Sequence, residues 1–146
     1  MGLSISSPAW VAGNDVPAAF TCDGAGVSPP LVVTGLAGAR ELVVVVTDQA
    51  DDRTHWVLAA LPPEGETVPD GAAPAGAVVG LNSEGVAAWA PMCPPSGQSR
   101  TYEFAVYALS APSGITAETT AAEARQIVTR LATASAATTG SATRGA

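Results

Sequence analysis

Glu41-Leu42-Val43-Val44-Val45-Val46-Thr47-Asp48 carries four consecutive valines behind a leucine. A continuous β-branched run of this length fits a strand buried on both faces, over residues 41–47. It is far shorter than the roughly 20 apolar residues of a membrane-spanning helix, and no run in the chain approaches that length. Asp48 ends the strand and residues 49–54 form a polar loop. Residues 55–61, from His55 to Leu61, read as the next strand, stopped by Pro62 and Pro63. If those two strands are neighbours, Asp48 and His55 meet at one rim of a sheet.

Outward from this pair the chain keeps reading as β structure. Residues 3–7 alternate and predict a first strand, stopped by Pro8. Residues 16–21 predict a short second strand, 22–30 a turn-rich loop, and 31–34 another strand. Residues 64–80 hold Gly65, Gly71, Gly76, Gly80, Pro69 and Pro74, and read as loop. A turn at 82–85 and a proline-stiffened loop at 90–97 precede a strand over 102–109. Tyr102, Phe104, Val106 and Ala108 share one face of that strand.

The one helix begins at Thr120, where Thr120 and Glu123 have capping-box spacing. Ala124, Ile127, Val128 and Leu131 then follow the helical repeat. Residues 135–146 are small and polar and are expected to fray. The fold class is therefore mostly β: one antiparallel domain over residues 1–146, with a C-terminal helix and long Gly/Pro loops. There is no internal repeat.

Charge removes several functions. Six arginines and no lysine face thirteen acids, for a net charge of −7. Nucleic-acid binding needs clustered cations, which this chain lacks. Without lysine there is no Schiff base and no phosphate-loop lysine. One histidine and two cysteines cannot build the usual structural zinc site, so neither metal nor cofactor is expected. A low charge density and a high apolar fraction are compatible with a homodimer. The first residues show no charged, apolar leader, which predicts a cytoplasmic protein. Cys22 and Cys93 would there be thiols, a pairing between them staying open.

The residues that can carry chemistry are few. A carboxylate beside an imidazole orients it and raises its pKa, so Asp48 and His55 could shuttle a proton or hold an anion. The bland alternative is a turn aspartate and a strand-capping histidine. Pro94, Pro95 and Gly97 form a rigid loop of the kind that walls a pocket, or else a plain connection. Arg100 is a candidate anion clamp or a surface charge. Trp10, Trp56 and Trp89 read as core, with Trp56 facing away from His55. Asp51 and Asp52 read as a solvated loop face. Cys93 could act as a nucleophile only with His55 as partner.

Taken in order, several segments carry a resemblance. They are Phe20-Thr21-Cys22-Asp23-Gly24, Ser28-Pro29-Pro30-Leu31, Val44-Val45-Val46-Thr47-Asp48, His55-Trp56-Val57-Leu58, Gly80-Leu81-Asn82, the loop 91–97, Tyr102-Glu103-Phe104 and Tyr107-Ala108-Leu109. Together they resemble the phosphatidylethanolamine-binding protein family, in its bacterial Raf-kinase-inhibitor-like branch. The resemblance implies an antiparallel β-sandwich of Greek-key character with a C-terminal helix. It also implies a small pocket at a sheet edge that takes phosphate-like anions. Asp48 falls at the first acid of the family's Asp-Pro-Asp-Ala-Pro motif and His55 at its pocket histidine. Pro94, Pro95 and Gly97 fall on its pocket loop, with Tyr102 beside them.

The departures narrow this. The acid motif reads Asp48-Gln49-Ala50-Asp51-Asp52, so the second acid is missing or shifted. The family's His-Arg-Tyr reads Ser99-Arg100-Thr101-Tyr102, so Ser99 or Arg100 replaces a second histidine. Ala60 stands where the family usually has asparagine, and Ala142 where it has an aromatic. Two readings follow. In one, the chain binds a small polar or anionic metabolite through Asp48, His55, Arg100, Tyr102 and loop 91–97. In the other, it is a cofactor-free enzyme of a metabolic pathway. It would then carry out tautomerisation, isomerisation, dehydration or cyclisation, with His55 and Asp48 as acid–base pair and Tyr102 as hydrogen-bond donor.

Overall fold

The computed structural model describes residues 2–144. Eight strands run in chain order: β1 (Ser4–Ser6), β2 (Leu31–Thr34), β3 (Glu41–Asp48), β4 (Thr54–Leu61), β5 (Gly65–Val68), β6 (Val78–Val79), β7 (Ser99–Leu109) and β8 (Ala132–Thr143). The helix α1 (Ala121–Leu131) lies between β7 and β8. Two antiparallel sheets result, a small one ordered β1-β2-β5 and a large one ordered β6-β4-β3-β7-β8.

The valine run explains the layering. Val44 and Val46 face the small sheet, in a core with Ile5, Leu31, Val33, Leu58, Phe104 and Val106. Val43 and Val45 face the other way, packed with Val57, Ile115, Ala124 and Val128 of the helix layer. All eight residues of β3 are buried, and β4 and β7 flank it on both sides. The helix starts as its sequence predicts: Thr120 accepts from the Glu123 amide, and the Glu123 carboxylate accepts from the Thr120 amide.

Four expectations change. Residues 135–143, expected to fray, belong to the longest strand of the fold, β8. The expectation for residues 145 and 146 lies outside the described residues. β8 pairs with β7 along its length, from Ser99 opposite Thr143 to Ala108 opposite Ala134. Alanine, serine and threonine give no apolar alternation to read, so a long-range pairing sets this strand rather than its own pattern. A strap of residues 10–16 then closes over its far end. Gly13 donates to the Thr139 carbonyl at 2.9 Å, and the Trp10 indole to the same oxygen at 3.1 Å. Gly140 makes this approach feasible, since a Cβ there would stand 2.8 Å from Trp10 Nε1.

Residues 16–21 are no strand. Pro17 caps a 3₁₀ turn over Ala18–Phe20 that buries Phe20. Residues 64–80 contain two short strands, β5 and β6, each completing a sheet edge. Cys22 and Cys93 form a disulfide, with Cα atoms 5.2 Å apart. Backbone pairing brings them together, through Cys22 N–H to the Met92 carbonyl at 3.0 Å and a bridge between Thr21 and Met92.

Candidate functional site at the rim of the large sheet

Three strands deliver side chains to one rim. Asp48 ends β3 directly opposite Tyr102 on β7, so their side chains share the sandwich-facing side. Arg100 lies two residues before Tyr102 and thus on the same side. His55 arrives by a different device. Val46 pairs with Trp56 but Thr47 pairs with Thr54, which leaves His55 as an extra residue in β4. This β-bulge breaks the alternation of the strand. His55 and Trp56 therefore both approach Trp89, with ring centroids 6.3 Å and 5.6 Å away. The expectation that Trp56 faces away from His55 fails for this reason. His55 also meets the Tyr102 ring edge-on at 5.1 Å.

Asp48 is 3% exposed, and its charge is met by two donors. The Ala50 amide donates to Oδ1 at 2.8 Å and Arg100 Nη1 to Oδ2 at 2.9 Å. Arg100 also pairs with Asp51 at 3.2 Å. Asp48 is thus partnered with Arg100 and makes no ion pair with His55 among the described residues. Arg100, rather than Ser99, reaches the rim; the Ser99 hydroxyl accepts from Thr143 at 3.0 Å. Asp51 and Asp52 are also more than a solvated face. Asp52 pairs with Arg125 of α1 at 2.9 Å. Burial pushes the Asp51 carboxyl up, but the Arg53 amide and the Arg100 guanidinium outweigh it and hold it below its ordinary value. The Asp48 carboxylate in turn holds the Arg100 guanidinium above its own.

The imidazole is oriented by the backbone. His55 Nδ1 lies 2.8 Å from the Ala90 carbonyl oxygen, and the Ala90 amide donates back to the His55 carbonyl at 2.8 Å. A carbonyl can only accept, so the proton of the neutral ring sits on Nδ1. Nε2 then presents a lone pair and has no protein partner among the described residues. Tyr102 is 1% exposed, and its phenol is pushed up to about 12. Burial is the main cause and the Asp48 charge adds to it, against Arg100 and a hydrogen bond from the Cys93 backbone. Tyr102 therefore stays a neutral phenol across the working range. The site combines a lone-pair acceptor, a phenol and a clasped carboxylate.

Loop 91–97 closes on the rim through its neighbours rather than its prolines. Ala90, at the start of the loop, holds His55. Pro94 is buried, whereas Pro95 and Gly97 are exposed. Neither Pro95 nor Gly97 hydrogen-bonds to Asp48, His55 or Tyr102 among the described residues. Cys93 is held in the disulfide, so it is no free nucleophile. Sequence reasoning missed the Ala90 carbonyl, for which no side-chain signal exists. It also missed Asp51 as a partner of Arg100. Trp89 stacks on Phe104 at 6.2 Å and, with Trp56, walls a hollow of about 260 Å³ floored by Gly71, Ala72 and Ala73. An aromatic run thus leads from the polar rim to an apolar recess. Larger surface hollows, of about 480 Å³ along α1 and about 570 Å³ by the 34–39 turn, lie away from this chemistry.

The sandwich is the architecture of one family. The sequence profile described as phosphatidylethanolamine-binding protein matches residues 6–143, and the chain belongs to that family. A Mycobacterium tuberculosis protein named "Putative lipoprotein LppC" is 37% identical over 122 residues, 78% of this chain and 61% of that protein. A UPF0098 protein of Methanothermobacter thermautotrophicus is 40% identical over 103 residues, 64% of this chain and 68% of that protein. The chain spans about 61% of the length of the mycobacterial relative. Among solved structures, a phosphatidylethanolamine-binding protein homolog from Chlamydia trachomatis superposes with a TM-score of 0.85 at 28% identity, over 95% of both chains. Escherichia coli YbcL superposes with a TM-score of 0.87 at 24% identity, over 97% of this chain and 98% of that one. No described helix is long and apolar enough to cross a membrane.

Proposed function

We propose that the chain binds a small polar metabolite at the Asp48–His55–Tyr102 rim. The observation that carries this reading is the fixed imidazole. Its Nδ1 is committed to Ala90, so Nε2 is left to accept a hydrogen bond from a ligand. Tyr102 stands beside it, and Asp48 lies opposite Tyr102 on the neighbouring strand. Two carboxylates share one guanidinium here, so the rim favours a ligand that brings hydrogen-bond donors or an amine. An anionic group must compete with Asp48 and Asp51 for Arg100.

Calorimetric titration with phosphoethanolamine and with inorganic phosphate tests this, beside His55→Ala. Phosphoethanolamine should bind more tightly than phosphate, and the substitution should weaken it about tenfold or more. Unchanged binding by His55→Ala would remove the rim from consideration.

A second reading is supported by the same pair of rings. A lone-pair imidazole edge-on to a neutral phenol suits cofactor-free proton transfer, with His55 as base and Tyr102 donating to a developing oxyanion. In this reading the Ala90 carbonyl, rather than Asp48, orients the base. Turnover of a carbonyl substrate that survives His55→Ala would dismiss it. The Cys22–Cys93 disulfide supports work in an oxidising compartment over the cytoplasmic placement expected from sequence.

A further inference from the structure

The disulfide has a distinctive setting, on the loop that borders the ligand rim. Both Cys22 and Cys93 are exposed. One sulfur has a cation against it: Arg144 Nη1 lies 3.5 Å from Cys93 Sγ. The fold delivers that guanidinium deliberately. β8 ends at Thr143, opposite Ser99, and Arg144 is then pinned to the proline loop in both directions. Its amide donates to the Gln98 carbonyl at 2.9 Å, and its carbonyl accepts from Gly97 at 3.0 Å. Asp23, next to Cys22 in the chain, holds the same guanidinium through Nε at 3.5 Å.

The two sulfurs therefore sit in different surroundings. A thiolate at Cys93 would have the Arg144 guanidinium against it, whereas no cation lies against Cys22 among the described residues. In thiol–disulfide exchange the sulfur that better carries negative charge is the better leaving group. We infer that the Cys22–Cys93 disulfide is a directional exchange site for small thiols, at which Cys22 is attacked and Cys93 leaves. The incoming thiolate forms a new S–S bond to Cys22 Sγ. The Cys22–Cys93 bond breaks, and its electron pair leaves with Cys93 as a thiolate beside Arg144. The exchange involves no net oxidation. A second thiol equivalent would free Cys22 and carry away the small disulfide.

The test uses the oxidised chain and β-mercaptoethanol, which carries no charge other than that of the attacking thiolate. Short exposures are quenched with N-ethylmaleimide, and the peptides holding each cysteine are weighed. The expected outcome is an excess of roughly threefold or more of mercaptoethanol on Cys22 with maleimide on Cys93, over the reverse labelling. Arg144→Gln should slow the exchange and bring the two labellings near parity. Asp23→Asn should reduce the bias as well, because Arg144 then loses the carboxylate that holds it at Cys93. Equal labelling in the intact chain, an excess on Cys93, or a bias untouched by Arg144→Gln would each overturn the inference. So would a native disulfide that stays intact at a thiol concentration that cleaves it in the urea-unfolded chain.

Discussion

Replacing both cysteines by serine should cost this protein about 4 kcal/mol. The disulfide joins residues separated by 71 positions. Cross-linking a loop of that size removes roughly 15 cal/mol/K from the denatured chain, or about 4 kcal/mol at 25 °C. Native-state terms add little. Both cysteines are exposed, so serine opens no cavity, and the Cys22–Met92 hydrogen bond holds the two segments together without the sulfurs. For a chain of this size that loss lowers the melting temperature by roughly 10–15 °C. Urea unfolding of the oxidised chain and of Cys22→Ser/Cys93→Ser measures it, and thiol counting under denaturing, non-reducing conditions checks the pairing. Midpoints that agree to within about 1 kcal/mol, or two reactive thiols in the untreated chain, would refute the reasoning.

Three further outcomes follow from the same structure. The chain has two tyrosines, and both phenols are held above their ordinary value, Tyr102 at about 12 and Tyr107 upward, in each case chiefly by burial. A folded pKa above the unfolded one means that the folded state keeps its proton longer. The Tyr102 contribution, on the order of 3 kcal/mol, is present below about pH 10 and is lost as pH rises toward 12. Tyrosinate absorbance should lag in the native protein, and a tyrosine that titrates normally before unfolding would count against this. Ala60 sits at φ 59° in a second bulge of β4, where Leu42 pairs with Leu61 and Val44 with Leu58. Ala60→Gly should stabilise by about 1 kcal/mol, since a left-handed conformation is strained for alanine; a lower urea midpoint would contradict this. Gly140→Ala drives a methyl group to 2.5 Å from Val16 and 2.8 Å from Trp10, and should cost roughly 1–3 kcal/mol by lifting the strap. Unchanged Trp10 fluorescence and stability would show that the strap yields freely.

Local pattern gave a large part of this molecule. The valine run announced a strand with a layer on each side, and Val44/Val46 and Val43/Val45 do divide between the sandwich core and the helix layer. The alternation in β7 placed Tyr102 and Phe104 on one face, and the Thr120/Glu123 spacing placed the helix start. These features depend on residues a few positions apart, and so they are written in the chain. Asp48 and His55 at one rim were legible for the same reason, because a short loop joins their strands.

Partners were decided only in three dimensions. Arg100 took Asp48, and a backbone carbonyl took His55, because strand register and a one-residue bulge set which atoms meet. The bulge shifts the parity of every side chain beyond it, and no composition rule marks where it falls. β8 is a strand because β7 offers it a full ladder, although its alanines, serines and threonines carry no apolar stripe. Cys22 and Cys93 pair because backbone contacts 71 residues apart bring them together. A sequence encodes preferences over a few residues, whereas hydrogen bonds, ion pairs and disulfides are formed between groups that only the folded backbone makes neighbours.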